Sequence, residues 1–171
     1  MTKKTDTIPS TPTSANAHSM PTSDVIELMN DLTECCKDGA AGYEKASRDA
    51  DSLSLKGVFT RLSEERGQFA TELQAEVSRL GGVPELRGTV AGAMHRGWND
   101  VKSALGGRDD AAILVDCEHG EDTAKKNFDA AAAKHLPMTV HSIVSRQAEA
   151  VRIAHNEIRD LRDIAVPRTH G

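Results

Sequence analysis

The stretch from Val58 to Ser78, VFTRLSEERGQFATELQAEVS, constrains the fold more than any other part of the chain. Leu55, Phe59, Leu62, Phe69, Leu73, Val77 and Leu80 recur at three- and four-residue steps around and through it, which places them on one face of an α-helix. Midway along that face, where the spacing demands an apolar residue, the chain carries Glu65 and Arg66. A long amphipathic helix has to bury its stripe against other helices, so a charged pair inside the stripe needs a partner there.

Three more stripes of the same kind supply the partners. Val25, Leu28/Met29, Leu32, Cys35/Cys36, Gly39, Tyr43, Ala46 and Ala50 trace a first helix, opened by Asp24-Val-Ile-Glu27, which has the spacing of a capping box. Asp51-Ser-Leu-Ser54 is a short polar break before the second helix, which Gly81-Gly82 caps and Pro84 stops. Ile113/Leu114, Cys117, Gly120, Ala124, Phe128 and Ala131/Ala132 mark a third helix, capped by Asp109 or Asp110. Val140, Ile143/Val144, Gln147, Val151, Ala154, Ile158, Leu161 and Ala165 mark a fourth, with Pro137 closing the third or opening the fourth. Between the second and third helices, Glu85 to Arg108 is too long for a tight turn, and Val90, Met94, Trp98, Val101 and Leu105 give it a short amphipathic helix of its own.

Composition agrees with helices. With one Trp, one Tyr and three Phe in a 38% hydrophobic chain, the interior is built from Ala, Leu, Val and Ile, which suits close helix packing. The 21 basic and 26 acidic residues, net −5, leave no footprint for nucleic acid. No run reaches the roughly 20 apolar residues of a membrane helix. The first residues lack the apolar core of a signal peptide, so the expected address is the cytoplasm. Cys35, Cys36 and Cys117 form neither a disulfide framework nor a CxxC metal pair and read as reduced core residues. Residues 1–22, rich in Thr, Ser and Pro, read as a disordered tail, 23–166 as one folded domain and 167–171 as a second short tail.

Two long helices joined tightly, a long crossover, and two more joined tightly define an all-α fold. It is the ferritin-like antiparallel four-helix bundle of two helical hairpins, with a short extra helix in the crossover. Cys36-x-x-Gly39 and Cys117-x-x-Gly120 repeat one spacing in helices one and three. A mid-helix glycine costs about 1 kcal/mol relative to alanine, so the two suggest a close approach of those helices, unless both are merely tolerated.

A di-iron centre in such a bundle takes a Glu from each of two helices and a Glu-x-x-His pair from each of the others. Steps of about 100° per residue place Glu65, Arg66, Glu76 and Glu121 within their stripes, Gln147 centrally on helix four, and His155 and Arg162 beside its stripe. Helix one offers no central carboxylate, and Glu-x-x-His is missing from helices two and four, where the nearest forms are Arg66-x-x-Phe69 and Arg152-x-x-His155. An arginine keeps its charge in proteins and repels a metal ion. Two readings of these polar positions stay open. In one, Arg66 is neutralised by Glu121 or Glu65 and bridged by Gln147 and His155 in a buried network. In the other, the side chains reach outward along their aliphatic stems to water.

The chain from about Val25 to Arg162 also resembles a bacterial ferritin-like four-helix-bundle family of unknown function. The resemblance is carried by Leu32 with Lys37-Asp-Gly39 and Tyr43, and by FATELQAEV from Phe69 to Val77 followed by Leu80-Gly-Gly82. It continues in AGAMHRGW from Ala91 to Trp98, CEHGED from Cys117 to Asp122, and Ala154-His155. It implies kinship in fold with ferritins and rubrerythrins. Where those groups keep Glu-x-x-His carboxylates, this chain has Arg66 and Arg152; Glu121 and His155 alone match a ligand in type and place. The expected function is that of a non-enzymatic homo-oligomer or protein-binding bundle without a cofactor, in a stress setting by analogy. The alternative is an iron or manganese protein using Glu121 and His155.

Overall fold

The computed structural model describes residues 19–88 and 109–166. They form four helices, α1 (Thr22–Asp49), α2 (Leu53–Arg79), α3 (Asp110–Ala132) and α4 (Met138–Ala165), and no strand among the described residues. The short extra helix expected in the crossover, the tail up to residue 18 and the segment 167–171 lie outside the described residues. None of the described helices is long and apolar enough to cross a membrane.

Where the helices begin and end follows local chemistry, with one correction. The capping box expected at Asp24 and Glu27 does not form: α1 starts two residues earlier, at Thr22, with Pro21 as N-cap and no side-chain cap. The Pro21 carbonyl accepts the N–H groups of Asp24 and Val25 at 3.1 and 3.0 Å. Asp24 therefore sits in the first turn, where a negative charge faces the positive end of the helix dipole. Just ahead of α1, Met20 packs on the core and donates its N–H to the His135 carbonyl at 3.0 Å.

The α1–α2 connection is shorter than the polar stretch 51–54 suggests, because Leu53 and Ser54 already belong to α2. Ser52 caps α2, its hydroxyl accepting from the Leu55 N–H at 3.4 Å. The adjacent aspartates at the start of α3 divide the work. Asp109 caps α3 by accepting from the N–H groups of Ala111 and Ala112, while Asp110 accepts from those of Asp51 and Ser52 at 2.8 and 3.1 Å. The α3 start is thereby tied to the first hairpin turn. At the far end of α2, Gly81 takes φ 81°, and the N–H groups of Gly81 and Gly82 bond the carbonyls of Ser78 and Val77, a Schellman stop. Gly82 also has to be small, because a Cβ there would lie 2.8 Å from Ile26. Pro137 opens α4 as its N-cap.

Each hairpin packs along its full length; α1 also meets α3 and α2 meets α4, so α2 and α3 stand on a diagonal. The apolar interior is in two pieces. One gathers Met29, Leu32, Phe69, Leu73, Phe128 and Val144; the other gathers Tyr43, Phe59, Leu62, Ile113, Leu114 and Ile158. Between them, at half height, lies the layer that contains Arg66 and Glu121.

Candidate functional site

That middle layer is the candidate site, and each helix reaches it through its own periodicity. On α2 the core positions run Leu62, Arg66, Phe69; on α3 they run Cys117, Glu121, Ala124; on α1 they run Cys36, Gly39, Tyr43. Arg66 and Glu121 are 1% and 2% exposed, so neither extends to water. Arg66 Nη2 donates to both carboxylate oxygens of Glu121, at 2.8 and 3.0 Å, and Nη1 donates to Glu65 Oε1 at 3.1 Å. Tyr43 completes the cluster, its hydroxyl donating to Glu121 Oε1 at 2.8 Å. The Arg66 side chain closes the α2–α3 diagonal and runs over the Phe69 ring, with the guanidinium carbon 5.6 Å from the centroid.

Two expected members belong elsewhere. Gln147 is fully buried on α4 but its Nε2 donates to Glu72 at 2.8 Å and to the Phe69 carbonyl at 3.5 Å, which points it at the α2 rim rather than at Arg66. His155 pairs with Asp122 at 2.8 Å, so α3 presents one carboxylate to the centre and the next to the histidine. Glu76 is held by Arg79, and Arg162 by Glu118 at 3.0 Å. Arg152, aligned by resemblance with a ligand position, is exposed and pairs with Glu149 and Asp129. Sequence reasoning counted Tyr43 only as a core residue. The signal was present, since a lone tyrosine on a buried stripe needs a partner for its hydroxyl.

Burial and charge act together on this cluster. Burial pulls the Arg66 guanidinium down, but the charge and hydrogen bond of Glu121 overcome it and hold the group above its ordinary value. Burial, then the Glu121 charge, pushes the Tyr43 phenol well up; burial likewise raises the Cys35 and Cys36 thiols. These groups stay protonated in the fold while their unfolded counterparts ionise, from 9.0 for thiols and 10.0 for the phenol. Their contribution to stability is complete below those values and is lost as pH rises past them. Denaturation of the reduced protein is therefore expected to become easier above pH 9.0, and Cys36→Ala should flatten that slope by up to about 1.4 kcal/mol per pH unit.

The glycines of the repeated Cys-x-x-Gly spacing do something other than expected. They do not bring α1 and α3 into close contact; they leave room between them. A Cβ at Gly39 would stand 3.4 Å from Arg66 Cγ, an ordinary contact, and one at Gly120 would meet nothing within 4 Å. Gly39, Gly42 and Gly120 line a cavity of about 670 Å³ between the two helices, with Tyr43, Arg66 and Glu121 at its polar part and Leu28, Leu32, Ala124 and Ala131 among its apolar walls. Since nothing opposes a methyl group at Gly120, Gly120→Ala is expected to stabilise the protein by up to about 1 kcal/mol in chemical denaturation.

Among the described residues, those of this layer do not fit a metal ion. Both Glu121 oxygens accept from Arg66, and a fixed positive charge sits where a cation would have to enter. His155 is directed to Asp122, and no group of three or more His, Cys, Asp or Glu among the described residues is placed to hold a metal.

The profile of the family described as "Domain of unknown function (DUF2383)" matches residues 24–134, well over half of the chain. The chain belongs to that family. The DUF2383 match takes in α1, α2 and α3, and with them Tyr43, Arg66 and Glu121. No curated protein matches the sequence. Among solved structures, the bundle is similar to a two-domain protein from Anabaena variabilis that contains DJ-1/ThiJ/PfpI-like and ferritin-like domains. The TM-score is 0.68 at 13% identity, over 98% of this chain and 48% of that one. The chain thus spans about half the length of that relative. It is also similar to a dodecameric thioferritin, the bacterioferritin-related protein of Bacteroides fragilis, with TM-score 0.70 at 16% identity over 86% of this chain and 89% of that one. At such identities the likeness is one of fold: this DUF2383 member is a ferritin-like four-helix bundle.

Proposed function

We propose that this chain is a non-enzymatic cytoplasmic bundle that acts by self-association or by binding another protein, and that an ion pair has replaced the metal site of its fold. The observation that carries this reading is the buried Arg66 guanidinium bonded to both oxygens of Glu121 at the centre of the bundle. A guanidinium at that point keeps its charge and supplies neither a ligand nor a redox or acid–base group. The dodecameric assembly described for the similar Bacteroides fragilis protein supports self-association. A role under stress is an analogy drawn from fold alone.

The test is elemental analysis of protein purified from cells supplied with iron and manganese, alongside sedimentation of the same sample. Metal well below one ion per chain, in a particle heavier than one chain, is the expected result. Stoichiometric iron or manganese that disappears in a Glu121→Ala, His155→Ala variant would instead establish the metal-binding reading. A monomer that captures no partner would remove the basis for action by association.

A further inference from the structure

The chain that leaves α2 does not go straight to α3. Past the Gly81-Gly82 stop it turns along the outside of α1 and touches that helix at each step. A Cβ at Gly82 would meet Ile26 at 2.8 Å. The Asn30 side chain then takes the run from both sides, its Nδ2 donating to the Val83 carbonyl at 3.1 Å and its Oδ1 accepting the Glu85 N–H at 2.9 Å. Gly88 lies on Lys37 and Asp38, so closely that a Cβ there would collide with Asp38 Oδ1. From Ile26 to Asp38 the helix rises about 18 Å, and extended chain from Gly82 to Gly88 covers about 20 Å. The run therefore follows α1 in the same direction and arrives at Asp38, which lines the groove between α1 and α3.

The described residues resume at Asp109, at the head of the opposite wall, where Asp110 accepts from the Asp51 and Ser52 N–H groups. Residues 89–108 thus start at one wall of the groove and finish at the other. Asp38 and Asp51 are about 20 Å apart along α1, and 20 residues of extended chain would reach about three times as far. The connection is much longer than the gap requires. Its stripe, Val90 to Leu105, is as many residues long as the α1 wall from Leu28 to Tyr43, so a helix bearing it matches the groove at about 22 Å.

Charge agrees with length. The groove rim carries Asp31, Glu34 and Asp38 on α1 and Asp116 on α3, with Lys134 at one end. Burial, then the charges of Glu85, Asp31 and Asp38, holds the Glu34 carboxyl above its ordinary value. Residues 89–108 carry Arg96, Lys102 and Arg108 against Asp100 alone.

We propose that the groove between α1 and α3 is the docking surface for this chain's own crossover, residues 89–108. The stripe of Val90, Met94, Trp98, Val101 and Leu105 fills the apolar space that Gly39 and Gly120 leave open, and the basic residues meet the acidic rim. The inference goes beyond the proposed function and does not rest on it.

Trp98 is the one tryptophan, so the emission of the full chain reports on the crossover alone. Emission well to the blue of N-acetyltryptophanamide is expected, with acrylamide quenching several-fold weaker, and both should persist on dilution to single chains. Gly120→Leu sends a side chain into the groove from its far wall, and Asp31→Lys, Glu34→Lys reverses the charge of the rim. Each should move the emission to the red and strengthen quenching. Gly57→Ala, at an exposed position on α2, should leave both readings as in the wild type. Circular dichroism identifies the folded variants, and either groove variant alone decides if the other does not fold. Wild-type readings equal to those of the free amide would overturn the proposal, as would readings unchanged in a folded groove variant. Shielding that disappears on dilution would place Trp98 between two copies and overturn it as well.

Discussion

Glu121→Ala is expected to destabilise the protein by about 3–5 kcal/mol, a fall in melting temperature on the order of 10 °C for a chain of this size. The substitution leaves a guanidinium that is 1% exposed with only the half-exposed Glu65 beside it. It also strips the acceptor from the Tyr43 hydroxyl. The loss measures the stranded charge more than the worth of the pair, and a second variant separates the two. In Arg66→Met, Glu121→Leu, Tyr43→Phe the charges and the hydroxyl leave together and the volume is largely kept, so stability should return to within about 1–2 kcal/mol of the wild type. Single variants at Arg66 should rank accordingly: Arg66→Ala, which adds a cavity to an unpaired Glu121, should melt below Arg66→Met. Equilibrium denaturation of the set decides. Equal midpoints for Glu121→Ala and the wild type would mean that the charges are solvated.

Phe59→Ala is expected to cost about 3–5 kcal/mol as well, by a different route. Phe59 is fully buried in the second apolar cluster and stacks on Tyr43, with ring centroids 6.1 Å apart and planes 25° apart. Its removal leaves a cavity directly beneath the side chain that donates to Glu121. Besides the loss of stability, the Tyr43 hydroxyl should become accessible, so its ionisation, followed by absorbance, should move down toward that of an exposed phenol. Phe59→Leu keeps most of the volume and should cost less than about 1.5 kcal/mol. A destabilised Phe59→Ala with Tyr43 ionising as in the wild type would show that the ring fills space without supporting the site.

The four helices were legible because their stripes are long and the punctuation is strong: Gly81-Gly82 before Pro84, Asp109 before α3, Pro137 before α4. The capping box at Asp24 was misread because Pro21 opens the helix earlier, and a proline one turn upstream outranks a side-chain cap that merely has the right spacing. Arg66 and Glu121 were legible as misfits on apolar stripes. Their shared ion pair was one of two open readings, because a helical wheel gives a residue's face but neither the tilt of the helix nor the reach of the side chain. The same gap explains Gln147, central on its stripe, and His155, beside it: each points to a neighbouring carboxylate, Glu72 or Asp122, rather than to Arg66. The glycines misled for a related reason: small residues at matching spacing mark either contact or vacancy, and only the distance between α1 and α3 tells which.

The most direct measurement of the central claim is a crystal structure of protein grown with iron or manganese, with data collected at the absorption edge of the metal. The account predicts no anomalous peak at the centre of the bundle and Arg66 Nη2 shared between the two oxygens of Glu121. A strong peak within coordination distance of Glu121, with Arg66 swung away from it, would contradict the account.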